Sequence, residues 1–199
     1  MRDDNKAQRR DQIETAAYAL LAEKGFQNMS MLAIAKASKA SNETLYRWYG
    51  DKLGLFRALI ETNAEEVAGR LRDAIRKGDA PESALAELGP VLLGMLLGDR
   101  AIALNRAAAA DASGGLGQAL AQEGRDKVFP LIADLFQTLV KRGALKGDPF
   151  EITGLYIDLL VGDLQIRRAT GALGPLRDRV IAERAQKAQQ RLFQLVGVS

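Results

Sequence analysis

The stretch from Ser30 to Arg57, SMLAIAKASKASNETLYRWYGDKLGLFR, carries the information that settles the fold. Met31, Ile34 and Ala35 share one side of a short helix, and the Ser30 hydroxyl can accept from N–H groups that its first turn leaves free. The spacing predicts that this helix ends near Lys36 or Ala37, that Ser38, Lys39 and Ala40 make a tight turn, and that another short helix runs from Ser41 to about Trp48. Leu45 and Tyr49, four positions apart, anchor the second helix. Asn42, Glu43, Thr44, Arg47 and Trp48 are left on its remaining surface, where they can meet DNA. Gly50 and Asp51 read as a turn and a helix start before a longer helix from Lys52. Two short helices joined in this way form a helix-turn-helix, whose second helix is presented to the major groove.

On the N-terminal side, Ile13, Ala16, Ala17, Leu20 and Leu21 recur at helical spacing between Arg9 and Glu23, with Gly25 where a helix C-cap belongs. Phe26 and Met29 are expected to plug a small three-helix core. On the other side, Leu55, Phe56, Leu59, Ile60, Val67, Leu71 and Ile75 mark a helix to about Lys77, long enough at about 1.5 Å per residue to join two domains. Gly78, Asp79, Ala80 and Pro81 form the clearest break. Beyond it the pattern stays helical: one helix through Leu85 to Leu96 with Gly89 and Pro90 bending it, one from Asp99 to about Asp111, a loop at Gly114, Gly115 and Gly117, and one through Val128 to Leu139. Asp148, Pro149 and Glu151 start a helix reaching Gly171, and Pro175 opens the last. The expectation is an all-α chain of about nine helices, with a helix-turn-helix domain over residues 1–51 and a helical domain over residues 52–199.

Composition narrows the chemistry. The 199 residues contain no cysteine and no histidine, which removes disulfides, thiolate and histidine metal sites, and the Ser/His/Asp and Cys/His nucleophile arrangements. No catalytic residue, metal ligand or cofactor is assigned. The charged N-terminus, MRDDNKAQRRDQIE, lacks the apolar core of a signal peptide, and no apolar run is long enough to span a bilayer, so a cytoplasmic protein without membrane association is expected. The net charge of +3 lies wholly in residues 1–57, which hold ten basic and seven acidic residues; the remainder balances to zero. That is a modest footprint for nucleic acid.

The ordered set of Gly25 and Phe26, Ile34 and Ala35, Ser41, Thr44, Leu45 and Tyr46, Tyr49, Lys52 and Leu55 resembles the DNA-binding domain of the tetracycline-repressor (TetR) family of bacterial regulators. The closing part, YIDLLVGDLQIRRATGAL, resembles the AefR-like branch of that family's C-terminal domains. The resemblance implies a homodimeric repressor that binds a near-palindromic double-stranded operator and is released by a small-molecule effector. It implies phosphate contacts for Thr44, Tyr46 and Lys52. Asn42, Glu43, Arg47 and Trp48 would face base edges or the adjacent backbone, and Ser30 and Ser41 complete the expected DNA-binding set. Two positions depart from the pattern. Lys39 stands where the turn usually carries Gly, at a cost of roughly 1–2 kcal/mol if it is left-handed, and Leu32 replaces a residue that is often polar.

Each assignment has a plainer competitor. Tyr49 belongs with Leu45 in the core, Tyr46 belongs on the DNA backbone, and Trp48 is divided between the two. Glu43 either accepts from a cytosine amino group or orients Arg47, or is a spectator. Asn63, Asn105, Phe129, Tyr156 and Asp163 are the expected effector contacts, against ordinary surface or packing roles. Gly154, Gly162, Ala185 and Ala188 permit close helix approach, either within the subunit or in a homodimer through the last two helices. The competing functional class is an all-helical small-molecule carrier or enzyme that does not bind DNA.

Overall fold

The structure, a computed structural model, describes residues 2–77 and 80–198, and the side chains of all of these except residues 2–4 and 81. The chain is helical almost throughout, and it packs as two compact units. Unit 1 takes the chain up to Thr62 and the segment Ala103–Glu123; unit 2 takes Asn63–Ile102 and the chain from Gly124 onward. This packing division falls inside the fourth helix, between Thr62 and Asn63.

In unit 1, α1 (Arg2–Asn28) begins well before the expected Arg9, since nothing in residues 2–8 interrupts a helix. Gly25 breaks it at φ 71. There follow α2 (Met31–Ala37), α3 (Asn42–Tyr49) and the first part of α4 (Lys52–Lys77). The core joins Ile13, Ala17 and Leu21 to Met29, Ile34, Leu45, Tyr49, Leu55, Phe56, Leu59 and Ile60, with Leu104 of α6 (Asp99–Ala109) and Leu116 of α7 (Gly115–Leu120). Each fully buried aliphatic or aromatic side chain here contributes roughly 1.5–3 kcal/mol over leaving it in water. Phe26 meets Phe56 edge-on with ring centroids 5.4 Å apart.

The glycine loop expected over residues 114–117 is mostly helix. Only Gly114 is left-handed, at φ 73, while Gly115 and Gly117 lie in α7. The reason is Asp111, whose carboxylate accepts from the Leu116 N–H at 2.8 Å and from Ser113, nucleating a turn that the glycines alone conceal. These bonds, the Leu116 amide first, hold the Asp111 carboxyl below its ordinary value.

In unit 2, α5 (Pro81–Leu96) starts at the expected proline; Gly78 and Asp79 of the expected break lie outside the described residues. A π turn over Ala121–Arg125 precedes α8 (Asp126–Lys141), and α9 (Pro149–Val161), α10 (Leu164–Ala169) and α11 (Asp178–Val196) complete the chain. Asp148 caps α9 by accepting from the Phe150 and Glu151 amides at 2.9 and 3.0 Å. The single helix expected from Asp148 to Gly171 is divided, because Gly162 takes φ 51 and ends α9 although the apolar pattern runs on. The last helix begins at Asp178 rather than at Pro175.

α5, α8, α9 and α11 enclose a core of Leu85, Leu88, Leu92, Phe136, Leu139, Ile152, Tyr156, Leu160 and Leu192. Gly89 serves close packing here: a Cβ on it would lie 2.6 Å from the Tyr156 hydroxyl and 2.9 Å from the Ala185 Cβ. The small size of Ala185 is thus accounted for inside the subunit, and Ala188 is buried there as well.

Candidate nucleic-acid interface

Local capping builds the exposed face of α3 in unit 1. The Ser30 hydroxyl accepts from the Ala33 N–H at 3.2 Å and starts α2. At the other end, the Ala40 N–H donates to the Ala35 carbonyl at 3.0 Å and the Lys39 N–H to the Lys36 carbonyl at 3.3 Å. This paired closure is a Schellman motif, and its left-handed position falls on Lys39, at φ 53. Two residues later the Ser41 hydroxyl accepts from the Thr44 N–H at 3.0 Å and lies 2.8 Å from the Thr44 hydroxyl, fixing the first turn of α3.

Gly50, at φ 76, ends α3. The Asp51 carboxylate then accepts from the Gly54 N–H at 2.7 Å and starts α4. Gly54 is required at this junction, because a Cβ there would stand 2.0 Å from the Tyr49 carbonyl oxygen. With both ends fixed, α3 turns Leu45 and Tyr49 into the core and leaves Asn42, Glu43, Tyr46 and Arg47 exposed. Tyr46 is 50% exposed, whereas Trp48 is half-buried and stands edge-on to Tyr49 at 6.4 Å. Burial, assisted by the Glu14 carboxylate and opposed by Arg10, raises the Tyr49 phenol above its ordinary value. Leu32, on α2, is 54% exposed.

Lys52 has a structural attachment that its sequence position does not reveal. Its ammonium donates to the Phe26 carbonyl at 2.9 Å and the Gln27 carbonyl at 3.3 Å, and lies 4.5 Å from the centroid of the Phe26 ring. It therefore ties the start of α4 to the end of α1. Sequence reasoning also missed the contribution of α1. Lys6, Arg9 and Gln12 face Thr44, Arg47 and Trp48 across an open groove of about 440 Å³, bringing three cations to one surface. The signal available was the basic run at the N-terminus.

The five expected effector contacts are not brought together. A second open groove, of about 640 Å³, lies within unit 2 and is lined by Asn63 and Glu66 of α4, Val91 and Met95 of α5, Arg168, Leu176 just before α11 and Ile181 in its first turn. Only Asn63 of the five lines it. Asn105 belongs to unit 1. Phe129 stacks on Phe150 with centroids 6.0 Å apart, and the Arg125 guanidinium lies 5.5 Å from its ring. Asp163 is exposed and pairs with Arg167 at 3.7 Å. Tyr156 is fully buried in the core.

Residues 13–59 match the profile of bacterial regulatory proteins of the tetR family, and residues 83–192, more than half of the chain, match the AefR-like transcriptional repressor C-terminal domain. The chain belongs to the TetR family. Solved structures agree with the domain matches. A TetR transcriptional regulator from Agrobacterium tumefaciens is 29% identical, with a TM-score of 0.75, over 96% of this chain and 95% of that one. A TetR-family regulator from Mesorhizobium loti MAFF303099 is 24% identical, with a TM-score of 0.82 over 96% and 98% of the two chains. The flavonoid-responsive regulator FrrA is 23% identical, with a TM-score of 0.70 over 96% and 98%. No curated protein matches the chain. As a TetR-family chain with both domains, it is a ligand-responsive, DNA-binding transcriptional regulator. The family is one of regulators rather than enzymes. Among the described residues no helix is long and apolar enough to cross a membrane.

Proposed function

We propose that this TetR-family chain is a cytoplasmic homodimeric repressor, with residues 1–51 reading a near-palindromic operator and residues 52–199 binding the effector and dimerising. The observation that carries the reading is the division of α3, with Leu45 and Tyr49 buried while Asn42, Glu43, Tyr46 and Arg47 stand exposed beside the cations of α1. In this reading Arg47 and Asn42 meet base edges and Glu43 orients Arg47 or accepts from cytosine. Thr44, Tyr46, Ser41 and Ser30 lie along the phosphates, Trp48 packs at the margin, and Lys52 adds a phosphate contact while holding the α1 carbonyls.

Exposed Phe150, Ile166, Val180 and Leu195, on α9 to α11, support dimerisation through the last helices. An isologous dimer would set two copies of α3 at the spacing of about 34–36 Å that successive major grooves require. The unit-2 groove is the proposed effector site. Its apolar lining of Val91, Met95, Leu176 and Ile181 and its polar lining of Asn63, Glu66 and the buried Arg168 suit a molecule with an apolar body and a polar end. The responsiveness to flavonoids in the name of one similar regulator is in keeping with such a class. Ligand bound there would favour a packing of the helices in which the two reading helices no longer match adjacent grooves, and affinity for the operator would fall.

Selection of a duplex from a randomised pool, followed by affinity and sedimentation measurements, tests this reading. Two chains should bind each duplex. Arg47→Ala should relax sequence preference by about 1–3 kcal/mol at its base pair, and Lys52→Ala should weaken all duplexes alike and reduce the salt slope by about one. Unchanged binding in both variants would remove these residues from the interface.

A further inference from the structure

The turn before α3 holds a residue suited poorly to its backbone. Among the described residues Lys39 is the one non-glycine with positive φ, at 53°, a conformation that crowds a Cβ against the following carbonyl and that glycine adopts freely. The N–H groups of Lys39 and Ala40 are consumed in closing α2. The carbonyl of Lys39 receives its hydrogen bond from much earlier in the chain, where Arg9 of α1 donates from Nη1 at 3.1 Å. A guanidinium donor makes a stronger bond than a neutral one. The same Arg9 side chain lines the groove shared with Thr44 and Arg47, so it spans from the turn to the reading face.

We infer that Arg9 is a positioning residue for DNA recognition, which holds the left-handed Lys39 turn and thereby fixes the angle at which α3 leaves it. Ser41, the cap of α3, follows Lys39 by two residues, so a rotation in the turn is carried directly into α3. Arg9 offsets the cost of a lysine where glycine would sit without strain. The inference rests on the reading of α3 as the DNA-reading helix. It differs from a direct contact of Arg9 with phosphate, which would depend on the charge and not on the residue at position 39.

The experiment combines Arg9→Ala with three residues at position 39: the native lysine, Lys39→Gly and Lys39→Asn, the last two tolerating the left-handed conformation. Full-length proteins are titrated onto a duplex selected by the wild-type protein, at several salt concentrations, and melted in parallel. Comparing Arg9→Ala with Arg9 inside each background cancels any effect of losing the Lys39 charge. With lysine at 39, Arg9→Ala should lower affinity about tenfold; with glycine or asparagine the loss should shrink to about threefold or less, an interaction between coupled sites. The dependence of log affinity on log salt should be unchanged by Arg9→Ala. An equal loss in all three backgrounds, or a salt slope reduced by about one, would overturn the inference and make Arg9 a phosphate ligand. If Arg9→Ala fails to fold, Arg9→Gln takes its place in the same comparison. Should the wild-type protein select no duplex, the reading of α3 itself fails, a result distinct from those above.

Discussion

The α3 face and the groove of unit 2 are both surfaces that carry polar side chains, but they are assembled in opposite ways. α3 offers its face from eight consecutive residues, flanked by a cap and a glycine stop at either end. The groove collects separate stretches between Asn63 and Ile181, on α4, α5, the start of α6, α10 and the entry to α11. A contiguous surface depends on junctions that fix one helix, whereas a dispersed one depends on long-range bonds that hold several. The two should therefore fail through different substitutions.

The largest effect is expected at the α3–α4 junction. Gly54→Ala would drive a Cβ to 2.0 Å from the Tyr49 carbonyl oxygen, a backbone atom that cannot swing aside. It should cost about 3 kcal/mol or more of stability and abolish duplex binding. Gly89→Ala, the comparable substitution in unit 2, meets the Tyr156 hydroxyl at 2.6 Å and the Ala185 Cβ at 2.9 Å. It should cost about 1–3 kcal/mol by overpacking, with a smaller loss of duplex affinity. Thermal melts and duplex titrations of the two variants check the contrast, and equal losses of DNA binding would dissolve it.

A smaller effect belongs to the bonds that hold the groove together. The Arg168 side chain, only 7% exposed, donates to the Leu97 carbonyl at 3.3 Å, to the Leu173 carbonyl at 3.4 Å and to Asp99 at 2.9 Å. Gln165 adds a bond to the Leu96 carbonyl at 3.1 Å. The Asp99 side chain is 90% exposed, so its charge is well screened and the carbonyl bonds carry most of the attachment. Arg168→Ala should destabilise unit 2 by about 2 kcal/mol, through loss of its bond to the buried Leu97 carbonyl and of its packing. It should speed hydrogen exchange in α10 while α3 amides stay protected; exchange that rises equally in α3 would contradict the separation.

The same contrast explains what could be read in the sequence. Ser30, Ser41, Asp148 and Gly50 gave helix ends correctly because each acts on a neighbour within a few residues. The left-handed position at Lys39 came instead from the family resemblance, which places Gly there and leaves open a strained turn or one of different geometry; the structure shows the left-handed one, at φ 53. The division of α9 from α10 was not foreseeable, because Ile157, Leu159, Leu160, Leu164 and Ile166 keep the helical period across Gly162 and only its φ breaks the chain. The helix at Gly115–Leu120 hid behind its glycines until the Asp111 cap was visible. Lys52 and Arg9 bond carbonyls more than twenty positions away, and Val91, Met95, Leu176 and Ile181 meet only after folding. No periodicity announces either kind of contact.

Tyr156 gives the smallest effect and the sharpest use of the contrast, since its residue type put it among the expected effector contacts and the fold puts it in the core. Its ring meets Phe136 edge-on at 5.4 Å, and its buried hydroxyl makes no hydrogen bond among the described residues. A buried polar atom without a partner forgoes its bonds to water, so Tyr156→Phe should keep the ring contacts and stabilise the protein by about 1 kcal/mol. Burial pushes this phenol above its ordinary value of 10.0. A group whose pKa is raised by folding contributes stability that is complete below the unfolded value and is lost as pH rises through the folded one, so the gain from phenylalanine should be largest in alkaline melts. A core tyrosine predicts a higher melting temperature with the effector response intact. A stabilised variant that no longer responds to its effector would instead mean that ligand reaches the Tyr156 hydroxyl, and that the working site extends inward from the open groove to the packed center of unit 2.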